Sequence, residues 1–114
     1  MRSIVNVGLV NYGDSGNLYS VKRALEKAGA KVIIISDKQD FNIITHLVLP
    51  GVGSFKETMN KLKIKNLIQP IKNFHGPILG ICLGMHILCK IGFEHGKTEG
   101  LHFLDGEVKA IECN

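Results

Sequence analysis

The sequence has no CxxC pair and no Cys/His metal spacing. Its three cysteines, Cys82, Cys89 and Cys113, are an odd number, so neither a disulfide framework nor a zinc site is implied and reduced thiols are expected. Although 45% of its residues are hydrophobic, no apolar run approaches the roughly 20 residues that a membrane span needs. The start, MRSIVNVGLVNYGDS, lacks a signal-peptide cleavage pattern. A cytoplasmic location without a membrane partner is the expectation. Basic runs are missing too: the net charge of +4 comes from scattered lysines, which argues against nucleic acid as a partner. Neither GxGxxG nor GxxxxGK[ST] occurs, so NYGDSGN (11–17) is a weak nucleotide loop. Repeats, low-complexity tracts and linkers are also absent, and 114 residues make at most one domain with a modest core.

What is present is an alternation of short apolar runs with helical patterns. IVNVGLV (4–10), KVIII (31–35), HLVLP (46–50) and PILGI (77–81) read as buried strands. Leu18, Val21, Leu25 and Ala28 recur at spacings of three and four between an N-cap at Asn17 and a stop at Gly29, which predicts a helix. Further helices are expected at 55–62, at 66–74 and from 83 to about 91, with GEVKAI (106–111) as a last strand. The order predicts an α/β fold with a doubly wound, mostly parallel sheet covered on both faces. Chemistry in such sheets gathers at the carboxyl ends of the strands, here the loops 11–17 and 50–54 and the turn at Cys82.

Gly80-Ile81-Cys82-Leu83-Gly84 has the G-x-nucleophile-x-G form of a nucleophile elbow, with cysteine as the nucleophile. A sharp strand-to-helix turn strains the backbone of its central residue, and glycines two before and two after let strand and helix approach without Cβ clashes. The following helix N-terminus favours thiolate over thiol, and the Leu83 N–H is expected to be free as an oxyanion donor. LVLPGVGSF (47–55) offers a second donor. Its Gly51, Val52 and Gly53 form an adaptable turn after the third strand, able to aim an N–H such as that of Val52 at the developing oxyanion. The bland reading of Cys82 is a buried structural thiol, which the strand, paired glycines and helix together disfavour.

NYGDSGNLYSVKRALEKAGA, LVLPGVGSF, GPILGICLGMHIL and TEGLHFLDGEVKAI, in this order, resemble the class I glutamine amidotransferases, and within them the glutaminase subunits of histidine biosynthesis. The resemblance spans nearly the whole chain and implies the flavodoxin-like fold of that family. It implies that Cys82 attacks the carboxamide of glutamine, a glutamyl thioester forms, and ammonia passes to a (β/α)8-barrel cyclase partner that makes imidazole glycerol phosphate. On this carry-over Val52, Gly53 and Leu83 form the oxyanion hole, and Gly51, His86 and Glu94 contact substrate. Gly16 and Asn17 face the partner, and no metal or organic cofactor is implied.

Three departures accompany the resemblance. The loop Tyr12-Gly13-Asp14-Ser15-Gly16-Asn17 is one residue longer than the usual family form, and His86 stands where the family usually has glutamine. The family's catalytic histidine and glutamate lie in an HPE-like motif beyond position 114. None of His46, His75, His86, His95 and His102 stands in an HxE pattern. Residues 1–114 are therefore expected to be the N-terminal portion of a truncated family domain, with little glutaminase activity alone for want of a general base. The alternatives are a non-catalytic binding or regulatory module, and a paralogous glutaminase supplying ammonia to a sugar amidotransferase. Cysteine hydrolases of a related fold usually carry a histidine directly after the elbow cysteine, where this chain has Leu83.

Overall fold

The computed structural model describes residues 5–13, 18–51, 53–93 and 96–111. Strands β1 (Asn6–Val10), β2 (Lys31–Ile35), β3 (His46–Leu49) and β4 (Ile78–Gly80) form one sheet, all parallel, in the order β2-β1-β3-β4. Helix α1 (Leu18–Lys27) joins the first two strands, and α2 (Phe55–Ile64) and α3 (Ile68–Lys72) join the third to the fourth. Alternate side chains of each strand point to opposite faces, and the apolar residues divide accordingly. Val7, Leu9 and Val48 pack with Leu18, Val21 and Leu25 of α1. Val10, Ile35, Leu47 and Leu49 pack with Phe55, Met59 and Leu62 of α2 and Ile71 of α3. The sheet is thus covered on both faces, and each aliphatic side chain sealed in this way contributes roughly 1.5–3 kcal/mol.

Both long helices stop by the same device. The N–H of Ala30 bonds to the Leu25 carbonyl and that of Gly29 to Glu26, around Gly29 at φ 97. At the end of α2 the N–H of Leu67 bonds to Leu62 and that of Asn66 to Lys63, around Asn66 at φ 57. These are the paired bonds of a left-handed C-terminal cap, closed over the buried Leu62 and Leu67. A helix stop at Gly29 is legible in sequence. The one at Asn66 shortens the helix expected at 66–74 to α3, Ile68–Lys72, because the left-handed residue and its cap take up the preceding positions.

Two expectations need correction. The helix expected from 83 to about 91 is a single turn, α4 (Leu83–His86), after which the chain becomes strand β5 (Cys89–Gly92). The strand expected at 106–111 is β7 (Leu104–Val108), and it does not join the main sheet. With β6 (Thr98–Glu99) it forms a second sheet, order β6-β5-β7, in which β5 is antiparallel to β6 and parallel to β7. The physical reason is competition between a local and a distant pairing. Leaving the helix lets Ile91 turn inward and the segment gain a ladder on both sides, which outweighs little more than one further turn of helix. At the start of β7, His102 Nε2 lies 2.7 Å from Asp105 Oδ1, and this hydrogen bond, aided by the imidazole charge, holds the Asp105 carboxyl below the usual carboxylate range.

A 3₁₀ helix at Lys38–Ile43, not anticipated from the sequence, is started by a reciprocal cap. Asp37 accepts from the Gln39 N–H, and Asp40 Oδ2 accepts from the Asp37 N–H at 3.1 Å. Among the described residues no helix is long and apolar enough to cross a membrane.

Candidate active site

Because β1, β3 and β4 are parallel neighbours, the loops that follow them emerge side by side at one edge of the sheet. The turn after β4 is the most constrained. Ile81 donates its N–H to the Leu49 carbonyl at 2.9 Å, which locks the turn to β3. Cys82 then adopts φ 52, ψ −116, a region that side-chain-bearing residues avoid at about 1–3 kcal/mol. Its carbonyl accepts from the N–H groups of Met85 at 2.9 Å and His86 at 3.2 Å, starting α4.

The flanking glycines are required by distance. A Cβ on Gly80 would stand 2.7 Å from the Gly84 carbonyl oxygen and from the Met85 backbone. A Cβ on Gly84 would fall on the Leu49 carbonyl oxygen, well inside any contact distance. Strand and helix therefore touch backbone to backbone, and the side chain between them is thrown outward: Cys82 is exposed, whereas Cys89 is half-buried. A single turn of helix supplies a smaller dipole than the helix expected from sequence, so exposure and strain are what distinguish this thiol. Among the described residues its Sγ has no hydrogen-bonding partner.

The loop after β3 closes over the elbow. Gly51 is buried at φ 142, and Gly53 is exposed at φ 115. The Leu83 N–H, expected to be free, donates to the Gly51 carbonyl at 3.2 Å. Nothing but glycine suits position 51, since a Cβ there would meet Tyr12 Cε2 at 3.2 Å and Leu83 at 3.6 Å in addition to the backbone strain. Ser54 ends the loop as N-cap of α2, its Oγ accepting the Glu57 N–H at 3.1 Å. His86 ends α4 half-buried, one helical turn beyond Cys82. Val52, Glu94, Gly16 and Asn17, assigned roles by the family resemblance, lie outside the described residues.

Residues that sequence reasoning did not single out complete the frame. Lys65, at the end of α2, reaches across to donate to the Asn11 carbonyl at 3.0 Å, tying α2 to the loop after β1. Asn11 Oδ1 accepts the Gly13 N–H at 2.8 Å. Tyr12, between them, is buried at 8% exposure, and its hydroxyl has no hydrogen-bond partner among the described residues. Ser54 was legible, because Ser54-Phe55-Lys56-Glu57 is a capping-box pattern. The link from Lys65 to Asn11 spans 54 residues and leaves no local signal.

The parallel α/β sheet thus presents a cysteine on a strained elbow, overhung by a glycine loop from the adjacent strand. The sequence profile of the family described as glutamine amidotransferase class-I matches residues 9–101, and the chain belongs to that family. It is 44% identical over 110 residues to the imidazole glycerol phosphate synthase subunit HisH 1 of Campylobacter jejuni, a match covering 93% of this chain and 54% of that one. The HisH subunit of Geobacillus thermodenitrificans is 44% identical over 105 residues (90% and 49% covered), and that of Rhodopirellula baltica 41% over 109 (93% and 53%). The chain thus spans about half the length of the curated relatives it matches. A crystal structure of glutamine amidotransferase superposes with a TM-score of 0.74 at 17% identity, covering 89% of this chain and 54% of that one, which shows the shared fold.

Proposed function

We propose that this chain carries the nucleophile and oxyanion loop of a glutaminase that supplies ammonia for imidazole glycerol phosphate synthesis. The observation that carries the reading is Cys82, held outward at φ 52, ψ −116 beside the Gly51 loop. Sγ attacks the carboxamide carbon of glutamine, forming the S–C bond. As the tetrahedral intermediate collapses, the C–N bond breaks and the nitrogen leaves with an added proton as ammonia. Water then attacks the glutamyl thioester, breaking C–S and releasing glutamate. The Leu83 N–H stabilises the oxyanion once the Gly51 carbonyl has withdrawn from it, with a second N–H from the Gly51–Gly53 turn, at Val52, completing the hole.

Among the described residues no side chain is hydrogen-bonded to the Cys82 thiol as a proton-transfer partner. We assign that role to the HPE-like motif that the family resemblance places beyond position 114, and read residues 1–114 as the N-terminal portion of the domain. His86 and Glu94 are assigned to glutamine, and Gly16 and Asn17 to the (β/α)8-barrel cyclase that receives the ammonia. The reaction is one of cytoplasmic amino-acid biosynthesis. The naming of the relatives as subunits of imidazole glycerol phosphate synthase supports this choice of acceptor.

The test is cysteine-resolved mass spectrometry after brief exposure to a glutamine-like chloroketone, with and without excess glutamine. Cys82 is expected to label ahead of Cys89, and saturating glutamine should slow it about tenfold or more; Cys82→Ser should leave nothing glutamine-protected. If glutamine protects no cysteine, the glutaminase reading fails.

A further inference from the structure

We propose that Tyr12 is the positioning residue of the oxyanion loop, its buried hydroxyl receiving the Gly51 carbonyl when that carbonyl leaves the Leu83 N–H. The inference rests on the glutaminase reading above and deepens it.

A hydroxyl taken out of water without a partner is destabilising by about 1–3 kcal/mol, and buried polar groups are seldom left so. Tyr12 Oη is such a group. The ring is fixed next to Gly51: its Cε2, adjacent to the carbon bearing the hydroxyl, stands 3.2 Å from where a Gly51 Cβ would be. Leu83 lies 3.6 Å from the same point, so Tyr12 and Leu83 are both packed against Gly51. Burial pushes the Tyr12 phenol above its ordinary value, and the group is therefore a donor.

The Gly51 carbonyl is thus held by one donor while the ring that carries a second packs against the same residue. In the state described, Gly51 O is held by the Leu83 N–H at 3.2 Å and the Tyr12 hydroxyl has no partner among the described residues. If the carbonyl turns to Tyr12, the Leu83 N–H becomes available to an oxyanion and no polar atom is stranded by the exchange. The two arrangements trade one hydrogen bond for another, so a modest bias from bound substrate can select between them. Tyr12 is well placed for this because its backbone neighbours are pinned. Asn11 donates to the Ile35 carbonyl at 3.1 Å and accepts from Lys65 at 3.0 Å, and its side chain holds Gly13 at 2.8 Å.

Tyr12→Phe removes the hydroxyl and keeps the ring. The rates of Cys82 labelling by the glutamine-like chloroketone, whose carbonyl oxygen needs the Leu83 N–H, and by iodoacetamide, which does not, are to be compared in the full chain and the variant. The chloroketone rate is expected to fall about five- to tenfold, the worth of one neutral hydrogen bond, with the iodoacetamide rate unchanged. The thermal midpoint of the variant should equal or exceed that of the unaltered chain. An unchanged ratio of the two rates, with glutamine protection intact, rejects the role of Tyr12 alone. A lowered midpoint also rejects it, since the hydroxyl would then already be bonded. Loss of glutamine protection in the unaltered chain rejects the glutaminase reading and the inference together.

Discussion

Gly84→Ala is expected to destabilise the chain by about 3 kcal/mol or more, a large share of the 5–15 kcal/mol typical of a domain. The added methyl would coincide with the Leu49 carbonyl oxygen, and that oxygen is also the acceptor that fastens Ile81 to β3. No rotamer relieves the clash, because both partners are backbone. Either β4 and α4 move away from β3 and lose the Ile81 bond, or the turn at Cys82 is rebuilt. Urea denaturation should show the lowered midpoint, and Cys82 labelling should lose its glutamine dependence in whatever fraction stays folded. Gly13→Ala is the control: its φ of 102 is unfavourable, but nothing lies within 4 Å of the new methyl. A loss of only about 1–2 kcal/mol is expected there, the penalty of a left-handed residue. Equal losses for the two variants would mean that β3 and α4 are not in backbone contact.

The second large effect is expected of Phe55→Ala, at about 3–5 kcal/mol. Phe55 is 1% exposed and opens α2 directly after the glycine loop. Its ring also lies against the second sheet, since a Cβ on Gly92 would meet the ring at 2.6 Å and one on Gly100 at 2.8 Å. One side chain therefore anchors the exit of the loop and the inner surface of β5. Truncation should expose amides of β5 and β6 to hydrogen exchange well before those of β1 and β3. Uniform loss of protection throughout the chain would show instead that the two sheets open as one unit.

Much of this architecture could be read from local pattern. The four parallel strands stand out as apolar runs, α1 as a spaced stripe ended by Gly29, and the elbow as two glycines about a cysteine. Each of these rests on rules that act within a few residues. The failures share a cause as well. Ile91 suits a helix by its spacing from Ile87, yet the ladder between β5 and β7 decides its fate, and the ladder's partners are more than ten residues apart. The occupied Leu83 N–H was equally invisible, because its acceptor belongs to Gly51, on a loop from another strand. Tyr12 appeared in the quoted loop as one residue of a motif; only packing shows that its hydroxyl is buried without a partner among the described residues and its ring lies against Gly51.

The backbone at Cys82 sets function against durability. At φ 52, ψ −116 every side-chain-bearing residue carries the same strain, and glycine alone escapes it. Evolution for stability alone would therefore install glycine at position 82 and discard the thiol. On the proposed function a cysteine is kept there for its reactivity, and consensus or stability-guided redesign of this chain would hold position 82 fixed while it searches elsewhere.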